Sequence, residues 1–178
     1  MYDFKKIEKK WQSKWENSNE FKVKESKKEN FYLLEMLPYP SGYGLHMGHA
    51  ENYVIGDILA RYKRMKGINV LYPMGYDSFG LPAENAAIKE GIHPKKYTEN
   101  SIKNFTKQQK RLGLSYDWSR SFATHNKEYH KWDQWIFLKF LKEKLAYKKK
   151  SLVNFCSECN TVLANEQVIQ GKCWRHPS

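Results

Sequence analysis

No stretch of this 178-residue chain approaches the ~20 consecutive apolar residues that a membrane-spanning helix needs. Met1 to Lys10 has no apolar region of the kind that a secretory signal peptide carries. Cysteine is scarce: there are 3, all in the last part of the chain and at spacings that suit a metal better than a disulfide. These absences make a soluble, cytoplasmic protein with reduced thiols and no membrane partner the expectation. Acidic residues are also short, with 19 Asp and Glu against 31 Lys and Arg, a formal net charge of +12. Such an excess suits a polyanion, because Lys and Arg release condensed counterions when they neutralise phosphates. A lysine-rich composition that merely fills solvent-facing positions gives the same count, and the scatter of Lys5, Lys6, Lys9, Lys10 and Lys14 fits that too. Charge alone therefore leaves nucleic-acid binding open.

What is present argues for a folded chain. Hydrophobic residues make up 40% and aromatics 15%, more than disordered chains contain. The expected exceptions are the charged stretch Lys22 to Asn30 and the last few residues. Phe4, Ile7, Trp11 and Trp15 recur at helical spacing and predict a helix over Met1 to Asn19. Phe31 to Leu37 reads as a buried strand, and Pro38-Tyr39-Pro40-Ser41-Gly42 then forbids regular structure, since proline fixes φ and removes a donor. Gly48 to Lys66 reads as a helix with Val54, Ile58, Tyr62 and Met65 on one face and Gly67 as its cap. Ile68 to Tyr72 is a second strand. Three more helices are predicted: Pro82 to Glu90, Thr98 to Leu112, and Lys127 to Leu145. The last has a wide stripe of Trp132, Trp135, Ile136 and Phe140, suited to packing on a sheet.

Strand, loop, helix, strand in one sheet makes a parallel crossover, and ligands in such folds bind beyond the carboxyl ends of the strands. The loops Pro38 to His49 and Pro73 to Pro82 both follow strands and should line one crevice. In the first lies His46-Met47-Gly48-His49. Gly48 lets a flat ligand such as adenine approach the backbone. His46 and His49 face the same way once the helix starts, and their ring N–H groups, with the free amides of a helix N-terminus, suit a triphosphate. A bare His-x-Gly-His means little alone; its place between a strand and a helix carries the reading. Zinc binding by the two histidines is disfavoured, since no third ligand is near in sequence.

Pro38-Tyr39-Pro40-Ser41-Gly42-Tyr43-Gly44-Leu45-His46-Met47-Gly48-His49 resembles the ATP-binding signature of class I aminoacyl-tRNA synthetases, and its Pro-Tyr-Pro-Ser-Gly lead-in resembles the leucyl-tRNA synthetases in particular. Gly75-Tyr76-Asp77-Ser78-Phe79-Gly80-Leu81-Pro82-Ala83-Glu84, Tyr116-Asp117-Trp118-Ser119-Arg120 and Thr161-Val162-Leu163-Ala164-Asn165-Glu166-Gln167-Val168 match the same family in order. The resemblance implies an α/β fold, a Rossmann-like parallel sheet with flanking helices over 1–150, followed by an incomplete zinc-ribbon-like module over 151–178. It also implies the N-terminal catalytic part of an enzyme that joins leucine to AMP and then to tRNA(Leu). His46 and His49 would be catalytic; Pro40, Ser41, Gly42, His46, Gly48 and His49 would bind ATP; Mg²⁺ would help neutralise pyrophosphate. The family's leucine pocket falls on Met36, Leu37, Tyr39, Asp77 and Phe79. Asp77 would hold the substrate ammonium through a charge-assisted hydrogen bond. Read without the family, Leu37, Tyr39 and Phe79 equally suit core packing, and Asp77 equally suits a turn between two glycines.

Cys156-Ser157-Glu158-Cys159 and Cys173-Trp174-Arg175-His176 form C-x2-C-x13-C-x2-H. Two ligand pairs joined by a loop offer four donors to a tetrahedral ion, with structural Zn²⁺ expected at Cys156, Cys159, Cys173 and His176. The alternative is reduced cysteines in a β-hairpin with a stray histidine. The family more often has cysteine where His176 stands.

The sequence contains no Lys-Met-Ser-Lys-Ser type loop, no second half of the nucleotide fold, and no editing or anticodon-reading domain. A fragment or split subunit, with the remainder of the synthetase as a possible separate chain, is therefore expected, without proofreading. A hydrophobic pocket separates one methylene by only ~1–3 kcal/mol, which is why complete members edit. Two rival readings stay open: a small nucleotidyltransferase, and a non-catalytic zinc-containing tRNA-binding or assembly subunit. A split enzyme predicts an apolar face that only further protein covers.

Overall fold

The computed structural model describes Tyr2 to His176; Met1, where the first predicted helix begins, and Pro177 and Ser178, the end of the predicted zinc module, lie outside the described residues. The chain divides into two compact units, one ending at Gln134 and the other beginning at Trp135. That division falls inside a helix.

In the first unit, helix α1 spans Phe4–Ser18, capped by the Asp3 side chain, which accepts from the Lys6 amide at 3.1 Å, and stopped by Asn19 at φ 51°. Strand β1 (Asn30–Tyr32) pairs in parallel with β2 (Asn69–Leu71), and β3 (Gly75–Tyr76) in parallel with β4 (Phe122–Ala123). The backbone joins these pairs into one ladder system. On one edge Leu33 N–H donates to Leu71 O and Asp77 N–H to Pro38 O; on the other, Asp117, Phe122 and Thr124 amides donate to Tyr72, Met74 and Tyr76 carbonyls. Residues 69–77 are thus the middle line, between the β1 segment and the β4 segment. Helix α2 (Met47–Met65) returns β1 to β2, while α3 (Leu81–Lys89) and α4 (Pro94–Leu112) return β3 to β4. Regular pairing of β1 stops well short of the predicted Leu37, where the chain turns towards two prolines, and β3 and β4 were too short to leave a periodic signal. Helix α4 begins earlier than predicted because Pro94 is pre-set for a first helical turn and the His93 side chain caps it.

The core gathers Tyr53 and Ala60 of α2, Val70, Tyr72, Met74 and Tyr76 of the middle line, Phe105 of α4, and Leu114, Tyr116 and Ala123 around β4. Alternate residues 70, 72, 74 and 76 face it, the period of a strand. One expectation needs correction. Lys22 to Glu29 is irregular but anchored, and Asn30 already belongs to β1: Val23 N–H donates to Asp117 Oδ2 at 3.0 Å, and Asn69 Nδ2 donates to Lys24 O at 3.0 Å. On α2, the apolar face of Val54, Ile58, Tyr62 and Met65 points away from the core. Tyr53, Asp57 and Ala60 are buried, while Ile58 is 63% exposed and Met65 85%. The inward face also holds charge: Asp57 accepts from Arg61 Nε (2.7 Å) and from the Ser115 amide (2.6 Å), and Arg64 Nη1 donates to Ser115 Oγ (2.7 Å). These pairs satisfy the charges that burial would otherwise penalise.

Helix α5 (Lys127–Lys142) has no buried residue; in its apolar stripe Ile136 and Phe140 are 45% and 49% exposed. Beyond it, the second unit contains two antiparallel pairs, β5 (Asn154–Cys156) with β6 (Thr161–Leu163), and β7 (Val168–Ile169) with β8 (Lys172–Cys173). No helix among the described residues is long and apolar enough to cross a membrane.

Candidate active site and metal centre

The loops after β1, β3 and β4 all leave the carboxyl ends of parallel strands, the edge where α/β folds bind ligands. At this edge His46 is the N-cap of α2. The His49 amide donates to His46 Nδ1 and the His46 amide to His49 Nδ1, each at 3.3 Å, a reciprocal capping box. The rings stack with centroids 3.8 Å apart. Since each neutral ring accepts at Nδ1, its proton sits at Nε2, which remains free to donate. His49 lies between His46 and the rings of Tyr53 and Phe105. Burial, and then the neighbouring His46, hold its pKa below the ordinary imidazole value, which keeps it in this neutral donor form. At Gly48 an added Cβ would stand 3.2 Å from the His46 ring, so the glycine also keeps that ring in place.

The lead-in to the loop is fixed by burial and by α4. Pro38 and Pro40 are fully buried, and Ser41 and Gly42 are half-exposed. Leu45 N–H donates to Gln108 Oε1 at 2.7 Å, and an added Cβ on Gly44 would stand 2.5 Å from Gln108 Nε2. The residues predicted for leucine fall on two neighbouring segments that the Asp77 N–H to Pro38 O bond ties together. Leu37 is half-buried, while Met36, Tyr39 and Phe79 are exposed, as walls of an open crevice would be. The Asp77 carboxylate accepts one long bond, 3.5 Å, from Thr124 Oγ1, which leaves most of its ~four lone-pair sites for another donor.

Several residues that shape this edge had no readable signal in the sequence. Glu35 sits between β1 and α2, accepting from Tyr72 Oη at 2.7 Å and Asn52 Nδ2 at 3.2 Å. Burial raises its pKa above the ordinary carboxylate value against the lowering effect of the Tyr72 bond, with Asp57 adding to the rise. It fits only because residue 56 is glycine: a Cβ there would fall 1.6 Å from Glu35 Oε1. Asp117 is a buried brace, accepting from Ser119 Oγ at 2.6 Å as well as from Val23.

In the second unit, the ligating atoms of Cys156, Cys159, Cys173 and His176 all lie within 4.8 Å of one another. Cys159 Sγ is 4.0 Å from Cys173 Sγ and 3.0 Å from His176 Nε2. Bonds of ~2.3 Å at tetrahedral angles put zinc-bound sulfurs ~3.8 Å apart, so the donor set fits such an ion. The Cys159 amide donates to Cys156 Sγ at 3.3 Å and holds that thiol below its ordinary pKa. His176 Nδ1 stands 3.0 Å from Glu158 Oε2; that carboxylate directs Nε2 towards the sulfurs.

A parallel sheet, a crossover helix opened by two imidazoles, and an acidic residue on the next loop define an α/β domain of the class I synthetase type. The chain belongs to the tRNA synthetases of class I (I, L, M and V), whose model matches residues 10–172. Among curated relatives, it is 60% identical over 177 residues to a leucine–tRNA ligase of Fusobacterium nucleatum subsp. nucleatum, covering 98% of this chain and 20% of the relative. It is 60% identical over 171 residues to the leucine–tRNA ligase subunit alpha of Aquifex aeolicus (strain VF5), covering 96% and 27%. The chain therefore spans about a fifth to a quarter of the length of these relatives. Among solved structures, the ternary complex of Agrobacterium radiobacter K84 agnB2 LeuRS with tRNA and LeuAMS matches with a TM-score of 0.88 at 44% identity, over 98% of this chain and 22% of that one. Methionyl-tRNA synthetase of Mycobacterium tuberculosis in complex with methionyl-adenylate matches in fold, with a TM-score of 0.68 at 21% identity over 82% of this chain and 28% of that one.

Proposed function

We propose that the chain forms the ATP- and leucine-binding part of a leucine–tRNA ligase, with residues 1–150 serving catalysis and 151–178 forming a zinc-ribbon-like module. The observation that carries the chemistry is the reciprocal cap of His46 and His49, which turns two Nε2–H donors outward at the end of a parallel sheet. In the reaction, the leucine carboxylate attacks the α-phosphorus of ATP; the bond to pyrophosphate breaks as the leucyl–AMP anhydride forms, and tRNA(Leu) then accepts the leucyl group as the acyl–phosphate bond breaks and AMP leaves. Charge grows on the phosphate oxygens along the way, and donors fixed beforehand at those oxygens stabilise it without reorganisation. Pro40, Ser41, Gly42 and Gly48 would line the nucleotide. Mg²⁺ on the phosphates would supply further neutralisation. Asp77 would take the leucine ammonium, with Met36, Leu37, Tyr39 and Phe79 around the isobutyl group.

Cys156, Cys159, Cys173 and His176 would hold a structural Zn²⁺, which supplies fold stability rather than reactivity. A cytoplasmic site of action goes with this reading, since such thiols must stay reduced. The net charge of +12 favours a tRNA partner. The outward apolar faces of α2 and α5 favour cover by the remainder of the synthetase, and the Aquifex relative carries the name of a subunit. Amino-acid-dependent ATP–pyrophosphate exchange tests the reading, with leucine, isoleucine, valine and methionine as substrates. Leucine-dependent exchange should fall about 10²–10³-fold in His49→Ala, the usual effect of removing one such donor. Exchange that ignores this substitution would sink the assignment of the loop.

A further inference from the structure

We infer that Thr124 and His125 are positioning residues that hold the Asp77 loop and thereby set the affinity of the site for the leucine ammonium. The inference rests on the preceding reading of Asp77. The backbone ladder between β3 and β4 ends where the Thr124 amide donates to Tyr76 O at 3.0 Å. Beyond that rung, side chains continue the connection. Ser78 N–H donates to Thr124 Oγ1 at 2.9 Å, Ser78 Oγ is 2.7 Å from His125 Nδ1, and His125 N–H donates to Ser78 Oγ at 3.2 Å. The same Thr124 hydroxyl reaches Asp77 Oδ1 at 3.5 Å. Phe79, the next residue, sets its ring edge-on to His125 and His130, with centroids 6.5 and 5.7 Å away. Residues 77, 78 and 79 are thus each in contact with the turn that follows β4.

The two sides of the loop are held differently. Towards β1, the Asp77 amide is tied by Pro38 O, a backbone bond that any sequence can make. Towards β4, every bond needs a particular side chain: a hydroxyl at 78, a hydroxyl at 124, and an acceptor at 125. Ser78 is buried, so its hydroxyl must be paired, and His125 pairs it. Burial lowers the pKa of His125, which keeps Nδ1 free to accept; Glu99 acts in the other direction, while Lys95 and His130 reinforce the fall. Neither Thr124 nor His125 belongs to the proposed leucine pocket. They act through Asp77 and Phe79, and ATP, on the His46 loop, lies outside their reach in this scheme.

Leucine-dependent exchange kinetics test this directly. His125→Ala and Thr124→Val should each raise the leucine KM about fivefold, the loss of one ordinary hydrogen bond, while the ATP KM and kcat stay within about twofold. His125→Asn, whose amide oxygen can accept from Ser78 in place of Nδ1, should recover most of the loss. An unchanged leucine KM, a parallel rise of both KM values, or a His125→Asn variant as impaired as His125→Ala would overturn the inference. Absence of leucine-dependent exchange in the wild-type chain would instead count against the function proposed above for this chain. The clamp is then decided by amide hydrogen exchange at Ser78: protection in the wild type that Thr124→Val removes upholds it, and equal exchange in both overturns it.

Discussion

Glu35 and Gly56 illustrate how a residue can be required by its neighbour rather than by its own position. The carboxylate between β1 and α2 occupies the space that a Cβ at residue 56 would need. Gly56→Ala should therefore destabilise the chain although alanine favours helix, by about 1–3 kcal/mol, the usual cost of overpacking. In a Glu35→Ser background the same change should cost less, the contact with Tyr72 Oη at 2.8 Å remaining, and a double-mutant cycle by chemical denaturation reads the coupling. Additive effects would show that the carboxylate moves aside freely. Neither residue was legible in the sequence. Glu35 stands in a predicted strand where its polarity looks like a solvent-facing position, and a lone glycine in a helix signals nothing about what packs on it. His46 and His49 were legible because their spacing already placed both rings on one helical start. Their mutual capping was not, since it depends on which nitrogen each amide meets.

Helix α2 shows the same limit at the next scale. Its ends were readable from a loop histidine and from Gly67, and its amphipathic character from the spacing of Val54, Ile58, Tyr62 and Met65. Which face points inward was not readable, because the rule that apolar faces are buried assumes that all the burying protein is present. The inward face also uses Asp57, Arg61 and Arg64, and the bonds of Asp57 and Arg64 to the distant Ser115 form only in three dimensions. This leads to an unusual expectation for a helix. Ile58→Lys should leave the stability of the isolated chain within about 0.5 kcal/mol, as for an exposed site, while lowering its binding of an apolar fluorescent dye. A loss of several kcal/mol in thermal unfolding would mean that this face is covered after all.

At the scale of the molecule, the chain combines an α/β unit with a second unit that has few buried residues. Among its described residues only Cys156, Thr161 and Leu163 are buried. So small a core rarely holds by itself, and the proposed structural metal would supply what is missing. Elemental analysis should find about one zinc per chain, and a chelator should collapse the dispersed amide signals of residues 154–173 while leaving those around Tyr72 and Tyr116 in place. A metal-free chain with the same dispersed signals would refute a structural zinc. That Cys156, Cys159, Cys173 and His176 come together was legible as two spaced pairs; the contact of Glu158 with His176 was not, because nothing in C-x2-C distinguishes a carboxylate that supports the site from one in solvent.

The reciprocal cap also decides where a metal will not go. A ligating imidazole must offer a bare nitrogen, and in both His46 and His49 the bare nitrogen already holds a backbone amide. Coordination through Nε2 would push the proton to Nδ1 and forfeit the cap, at about 1 kcal/mol for each ring. The histidine pair is thereby a poor trap for transition ions, so a protein that carries three cysteines and paired imidazoles on one chain steers such ions away from the cap of α2.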